Sequence, residues 1–256
     1  MRTLMKIQRF DPSTMQDRAV TFIIGKRATG KTVLCADLLS RRRPPFDKGA
    51  LVCPTIVTKG SECAPMFAPD RVHGNYDPQI LRDVMAEQKQ AIGEAAAAGQ
   101  TLDKTSRVVL DDALYSIESV DKLREIVIYG RNLYIDLIVA LPYPFGLPPT
   151  LRGSIDYVFI LRENIISNRR RLYDNYAGML PNFETFCDLL DKTTLDYDCL
   201  VIDNTVQSNK PEDCLFFYNA NFVQGDDEPP PTAGWWSYVD MLYGWIPSRW
   251  LSTLFW

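Results

Sequence analysis

Lys31 sits in Gly25-Lys26-Arg27-Ala28-Thr29-Gly30-Lys31-Thr32, a run that fills the pattern G-x-x-x-x-G-K-[ST] without substitution. The chemistry such a loop performs is phosphate binding. Its glycines let successive backbone N–H groups converge on a β-phosphate, Lys31 neutralises the β and γ oxygens, and the Thr32 hydroxyl is offered to Mg²⁺. The residues expected to hold a nucleotide are Gly25 to Thr32 and the adjoining Val33. The loop follows the apolar run Val20 to Ile24 and opens a helix, Lys31 to Ser40, whose positive dipole end backs the phosphates. The plainer alternative is a glycine turn between a strand and a helix. The complete pattern in its required strand–loop–helix context favours nucleotide binding, with ATP and Mg²⁺ as the expected cofactors.

A second chemical element is Arg107-Val108-Val109-Leu110-Asp111-Asp112, an apolar strand ending in paired carboxylates. A carboxylate at a strand's C-terminal end can hold the Mg²⁺ shell through water while its neighbour polarises the attacking water. Asp111 is assigned to the metal, with Thr32, and Asp112 to the water. Read alone, the pair is equally an acidic turn that caps the next helix. With the upstream loop it implies phosphoryl transfer to water or to an acceptor, in which positioning and charge neutralisation do most of the catalysis.

These groups need a scaffold. Apolar, β-branched runs recur at Ala19 to Ile24, Ala50 to Cys53, Arg107 to Leu110, Ile135 to Leu141, Tyr157 to Leu161 and Cys199 to Ile202. Most are unbroken rather than alternating, as in strands buried on both faces. Helical stretches fall between them at Thr32 to Arg42, Gln79 to Ala98, Val120 to Tyr129 and Asn182 to Leu190. The alternation predicts an α/β fold, a mainly parallel central sheet flanked by helices. The chain has 256 residues, 46% apolar and 23% charged, with a net charge of −4. That balance argues against a uniformly basic nucleic-acid binder, so any DNA contact must be local. Six cysteines without C-x-x-C pairs read as free thiols of a reducing compartment. His73 is the sole histidine and reads as a bystander. The N-terminus lacks the apolar core of a signal peptide, and no uncharged apolar stretch reaches the roughly eighteen residues of a membrane span. The expectation is a soluble, intracellular protein.

Composition divides the chain into a body, residues 1 to 224, an acidic proline-rich linker, 225 to 233, and a tail, 234 to 256. All 5 tryptophans fall between Trp235 and Trp256. Two readings stand: the tail folds back over its own domain, or it docks on a partner subunit, a capsid component or a membrane surface. Asp240 and Arg249 argue against a spanning helix.

Past Asp112 come Gly130-Arg131-Asn132, the strand Ile135 to Leu141 followed by Pro142-Tyr143-Pro144, then Leu151-Arg152 and Asp156-Tyr157-Val158-Phe159. With the loop and the Leu-Asp-Asp strand, this succession resembles the genome-packaging ATPases of nucleocytoplasmic large DNA viruses, members of the FtsK/HerA superfamily of P-loop, RecA-like motors. Asn175-Tyr176-Ala177-Gly178, Ser208-Asn209-Lys210 and Phe216-Phe217-Tyr218-Asn219-Ala220 add to the likeness, which spans residues 5 to 223. It implies an ATPase that assembles into a pentameric or hexameric ring and drives double-stranded genome DNA into a capsid, in the host cytoplasm, at the viral factory, or in the virion. It also implies an arginine supplied by a neighbouring subunit to the γ-phosphate, for which Arg131 and Arg152 are the candidates and Arg162 a third. Each has a plain alternative as a salt-bridging residue.

The sequence departs from that family at the strand end where a polar sensor, often glutamine, is expected. Pro142 stands there, and proline offers neither a side-chain amide nor an N–H. Asn132, where related viral proteins often carry histidine, is a candidate substitute. Asp112 replaces the glutamate of the wider superfamily. DNA contacts fall on Arg169-Arg170-Arg171, Lys210 or Arg41 to Arg43, each of which also reads as a solvated helix end or surface group. The competing functions are a small-molecule or nucleotide kinase and a nucleotide-gated, non-catalytic scaffold.

Overall fold

Unbroken apolar strands need cover on both faces, and the structure supplies it. A computed structural model describes residues 7–41, 48–102, 104–114 and 123–220. The proposed linker and tryptophan-rich tail, Arg42 and Arg43 therefore lie outside the described residues. The strands are β1 (Gln8–Arg9), β2 (Val20–Ile24), β3 (Lys48–Val52), β4 (Val72–His73), β5 (Ser106–Asp111), β6 (Ile135–Leu141), β7 (Tyr157–Ile160), β8 (Asp198–Asp203) and β9 (Leu215–Asn219). They form one 9-stranded sheet in the order β1-β9-β8-β7-β2-β6-β5-β3-β4. From β7 across to β4 every pairing is parallel, whereas β8 runs antiparallel to both β7 and β9. The fold is the expected α/β architecture, with a mixed, mostly parallel sheet.

Successive residues of the central strands point to opposite faces and build two cores. Val20, Phe22 and Ile24 of β2 join one, with Val108, Leu110, Leu137 and Val139. Ile23 joins the other, with Val109, Ile138 and Ala140. Helix α1 (Lys31–Arg41) covers the second face through Leu34, Cys35, Leu38 and Leu39. Each fully buried leucine there contributes about 1.5–3 kcal/mol. The first face is covered by α3 (Pro78–Ala97), α4 (Arg124–Tyr129), α6 (Ile166–Tyr176) and α7 (Phe183–Thr193). Short helices α2 (Ile56–Lys59), α5 (Pro149–Arg152) and α8 (Pro211–Cys214) complete the chain order.

Helix boundaries follow local chemistry. Asp77 caps α3 by accepting from the Gln79 N–H, with Pro78 in the first turn. Asn182 caps α7 by accepting from the Thr185 N–H at 2.8 Å. Opposite the site edge, the buried Arg107 and Asp136 pair at 3.2 Å, and Asp136 also accepts from the Ala19 N–H at 2.8 Å, tying β2, β5 and β6 together. All six cysteines are free thiols, as expected. Among the described residues no helix is long and apolar enough to cross a membrane.

Candidate active site

Parallel register brings the C-terminal ends of the central strands to one edge. Ile24 of β2 pairs with Leu141 of β6 and with Ile160 of β7, while Asp111 of β5 pairs with Ala140. The ladder continues past the strands: Gly25 N–H donates to the Leu141 carbonyl at 3.1 Å, Asp112 N–H to Ala140 at 3.2 Å and Leu161 N–H to Ile24 at 2.8 Å. The Gly25 to Thr32 loop, the carboxylate pair and Pro142 therefore converge at this edge.

The loop's turns need its small residues. A Cβ on Gly25 would lie 2.7 Å from both the Leu161 Cβ and the Thr29 hydroxyl, so a side chain cannot enter there. Gly30 has φ +96°, a conformation glycine adopts without a Cβ penalty. Thr29 Oγ1 donates to the Lys26 carbonyl at 2.8 Å and closes the turn.

At the head of α1, Lys31 is only 5% exposed. Its Nζ donates to the Lys26 carbonyl at 3.1 Å and stands 3.3 Å from Asp112 Oδ2. Thr32 Oγ1 donates to Asp111 Oδ2 at 2.8 Å. Burial pushes the Asp111 carboxyl above its ordinary range; the Thr32 hydrogen bond opposes this and the charge on Asp112 reinforces it. Asp111 Oδ1 and Asp112 Oδ1 are both buried without a hydrogen-bond partner among the described residues. Buried polar atoms are nearly always satisfied, so these two oxygens can each accept from water or meet a cation. A threonine hydroxyl and carboxylate oxygens form the hard oxygen set that Mg²⁺ takes, directly or through water. These residues fit the expected metal and nucleotide.

The loop after β7 also belongs to this edge. Lys26 Nζ donates to Asn164 Oδ1 at 2.5 Å. Buried Glu163 holds that loop by accepting from Ile165 N–H at 2.8 Å and Asn168 Nδ2 at 3.0 Å. Sequence reading missed Asn164, because a single asparagine in a loop carries no pattern. Arg162 is exposed on the same loop.

Other candidates stand elsewhere. Arg131 lies in the turn Gly130–Leu133 before β6 and pairs with Asp156, whose N–H donates to the Val20 carbonyl at 2.9 Å, at the start of β2. Arg152 ends α5 and donates to Asn175 Oδ1 at 2.9 Å. Both precede strands that run toward the phosphate loop, so neither reaches its own chain's site. Asn132 shares the Gly130–Leu133 turn, and the 7 residues of β6, a rise of about 23 Å, separate it from Pro142. It cannot replace a sensor in its own chain. Arg169 is held by Asp191 and by the Glu163 carbonyl, and Arg170 lies 3.7 Å over the Phe183 ring. These two stabilise the contact of α6 with α7. Arg171 and Lys210 are exposed, and Arg41 pairs with Asp37 at 2.9 Å.

No protein-family profile matches the chain. Among curated proteins it is 32% identical over 219 residues to the uncharacterised protein 088R of Invertebrate iridescent virus 3, covering 83% of this chain and 78% of that one. It is 28% identical over 222 residues to the uncharacterised protein L437 of Acanthamoeba polyphaga mimivirus, covering 84% and 77%. Among solved structures it is similar to the genome packaging NTPase B204 of Sulfolobus turreted icosahedral virus 2 in complex with ATP-gammaS, with TM-score 0.52 and 14% identity over 81% of this chain and 100% of B204. It is similar too to EssC (ATPases 2 and 3) of Geobacillus thermodenitrificans, with TM-score 0.50 and 14% identity over 90% of this chain and 45% of that one.

Proposed function

Because the chain belongs to the family of large-DNA-virus proteins with the FtsK/HerA-type P-loop fold, we propose that it is a Mg²⁺-dependent ATPase that drives viral genome DNA into a capsid. The observation that carries this is the cluster of Lys31, Thr32, Asp111 and Asp112 at one sheet edge, with two buried carboxylate oxygens left open. The name of B204, a packaging NTPase seen with an ATP analogue, supports the same reading.

The chain's own residues divide the work. Backbone N–H groups of the loop and the α1 dipole cradle the phosphates, and Lys31 neutralises the β and γ oxygens. Thr32 and Asp111 would hold the metal, which supplies charge neutralisation at the β and γ oxygens. Lys31 pairs with Asp112, so a bound triphosphate would compete for the lysine. Release of Asp112 then leaves a carboxylate free to orient water. Arg131, Arg152 or, from its place at the site edge, Arg162 would supply charge at the γ-phosphate. The first two can do so only in a neighbouring subunit's site, which fits a ring of head-to-tail contacts. Duplex DNA would be held through phosphate contacts that are insensitive to sequence.

Steady-state ATP turnover with and without duplex DNA tests the proposal. A motor shows phosphate release stimulated by DNA and abolished in Lys31→Ala. Transfer of label to a nucleoside phosphate identifies a kinase instead. Binding without turnover identifies a scaffold, the reading that Pro142 favours.

A further inference from the structure

The phosphate loop has a neighbour that its motif does not include. Asp198 begins β8, which runs antiparallel to β7, so the residues just before it stand at the same edge as Gly25 to Thr32. There Leu195 to Asp198 make a tight turn, with the Asp198 N–H donating to the Leu195 carbonyl at 2.7 Å. Asp196 at φ 47° and Tyr197 at φ 67° occupy its two central positions. Both values are those of a turn that normally takes asparagine and glycine. A bulky aromatic in a left-handed backbone is rare. Here the turn is braced from β9, where Asn219 Nδ2 donates to Asp198 Oδ1 at 2.6 Å and to the Asp196 carbonyl at 3.4 Å. The brace presents an aromatic side chain that is 72% exposed, at a position where the backbone itself would favour glycine. That ring leans on the phosphate loop: a Cβ placed on Gly30 would come within 3.5 Å of Tyr197 Cδ1.

Direction decides what the ring meets. Thr32, Asp111 and Asp112, which would hold a metal and the terminal phosphate, lie on the side of β2 that faces β6 and β5. A nucleotide lying across the loop would then extend its nucleoside the opposite way, toward the side of β2 that carries β7 and β8. Tyr197 stands on that side. We propose that Tyr197 is the platform on which the nucleotide's base stacks, so that the turn Leu195 to Asp198 completes the site as its base-binding wall. The proposal rests on the nucleotide reading of the phosphate loop and extends it. A ring face stacks on any base, so this wall holds a base without selecting adenine.

Calorimetric titration of the full chain with Mg·ATP and with Mg·tripolyphosphate, which has no base, separates the two readings. Tyr197→Ala should weaken ATP binding about tenfold while leaving tripolyphosphate binding unchanged, and Tyr197→Phe should retain the wild-type affinity for ATP. Wild-type affinity for ATP in Tyr197→Ala overturns the platform, including the case in which the substitution alters only association between chains. Equal losses for ATP and tripolyphosphate overturn it as well, since they report damage to the phosphate loop. If the wild-type chain binds neither ligand, the phosphate-site reading fails first and takes the platform with it.

Discussion

Asp111 is a residue whose burial opposes its own ionisation. Burial raises its pKa above the ordinary 3.8, so over the window between those values the folded chain keeps a proton that the unfolded chain has lost. Stability from this group therefore falls as pH rises through the window, and stays lower at neutral pH. Asp111→Asn keeps an acceptor for Thr32 and removes the buried charge. The variant should melt a few degrees higher than wild type at neutral pH, yet lose Mg²⁺-dependent turnover. A lower melting temperature would show that the charge is compensated in the fold. Asp112→Asn should bind ATP like wild type and stop hydrolysis; equal turnover in the two would remove Asp112 from the water-positioning role. The turn from Gly25 to Thr32 is legible because its motif is contiguous, and contiguity is what a sequence displays. Asn164 and Tyr197 reach the same edge from distant strands, and only the fold brings them there.

Among the elements, β6 carries the main departure. It ends at Leu141, level with Ile24, and the chain turns away at Pro142 toward the buried Phe145 and Leu147. The position between the loop and the carboxylates thus lacks a polar side chain. Pro142→Gln should raise ATP turnover severalfold with little change in melting temperature, read by phosphate release; unchanged turnover would mean that no amide is wanted there. The central strands were readable because each is apolar throughout and buried on both faces. β1 and β4 are two residues long and exist through pairing alone, so no periodicity announced them. Helix α6 was missed because only Leu172 and Tyr176 of its residues are buried, and its place is set by Arg169 on Asp191 and Arg170 on Phe183. The expected helix from Val120 begins, in the described residues, at Arg124.

Viewed whole, the molecule has two unlike ends. The strands deliver the phosphate site to one and leave Arg131 and Arg152 at the other. If subunits share sites, mixing Arg131→Ala or Arg152→Ala chains with Lys31→Ala chains should restore turnover above either alone; no recovery at any ratio would count against sharing. The buried Arg107–Asp136 pair holds that second end, and removing Asp136 takes away an ion-pair partner of Arg107 and the acceptor of the Ala19 N–H. Asp136→Ala should cost about 3–5 kcal/mol in denaturant unfolding. Deleting 232 to 256 weighs the two readings of the tail: an unchanged melting temperature supports docking on a partner, and a large fall supports cover of its own domain. A last consequence follows from Lys31 resting on Asp112. On the packaging reading, the chain would meet phosphate at every nucleotide of its DNA, and a bare lysine in a phosphate cradle would be a standing trap for that cargo. With its charge answered by a neighbouring carboxylate, Lys31 would offer such a backbone little to grip and would yield only to the denser charge of a triphosphate.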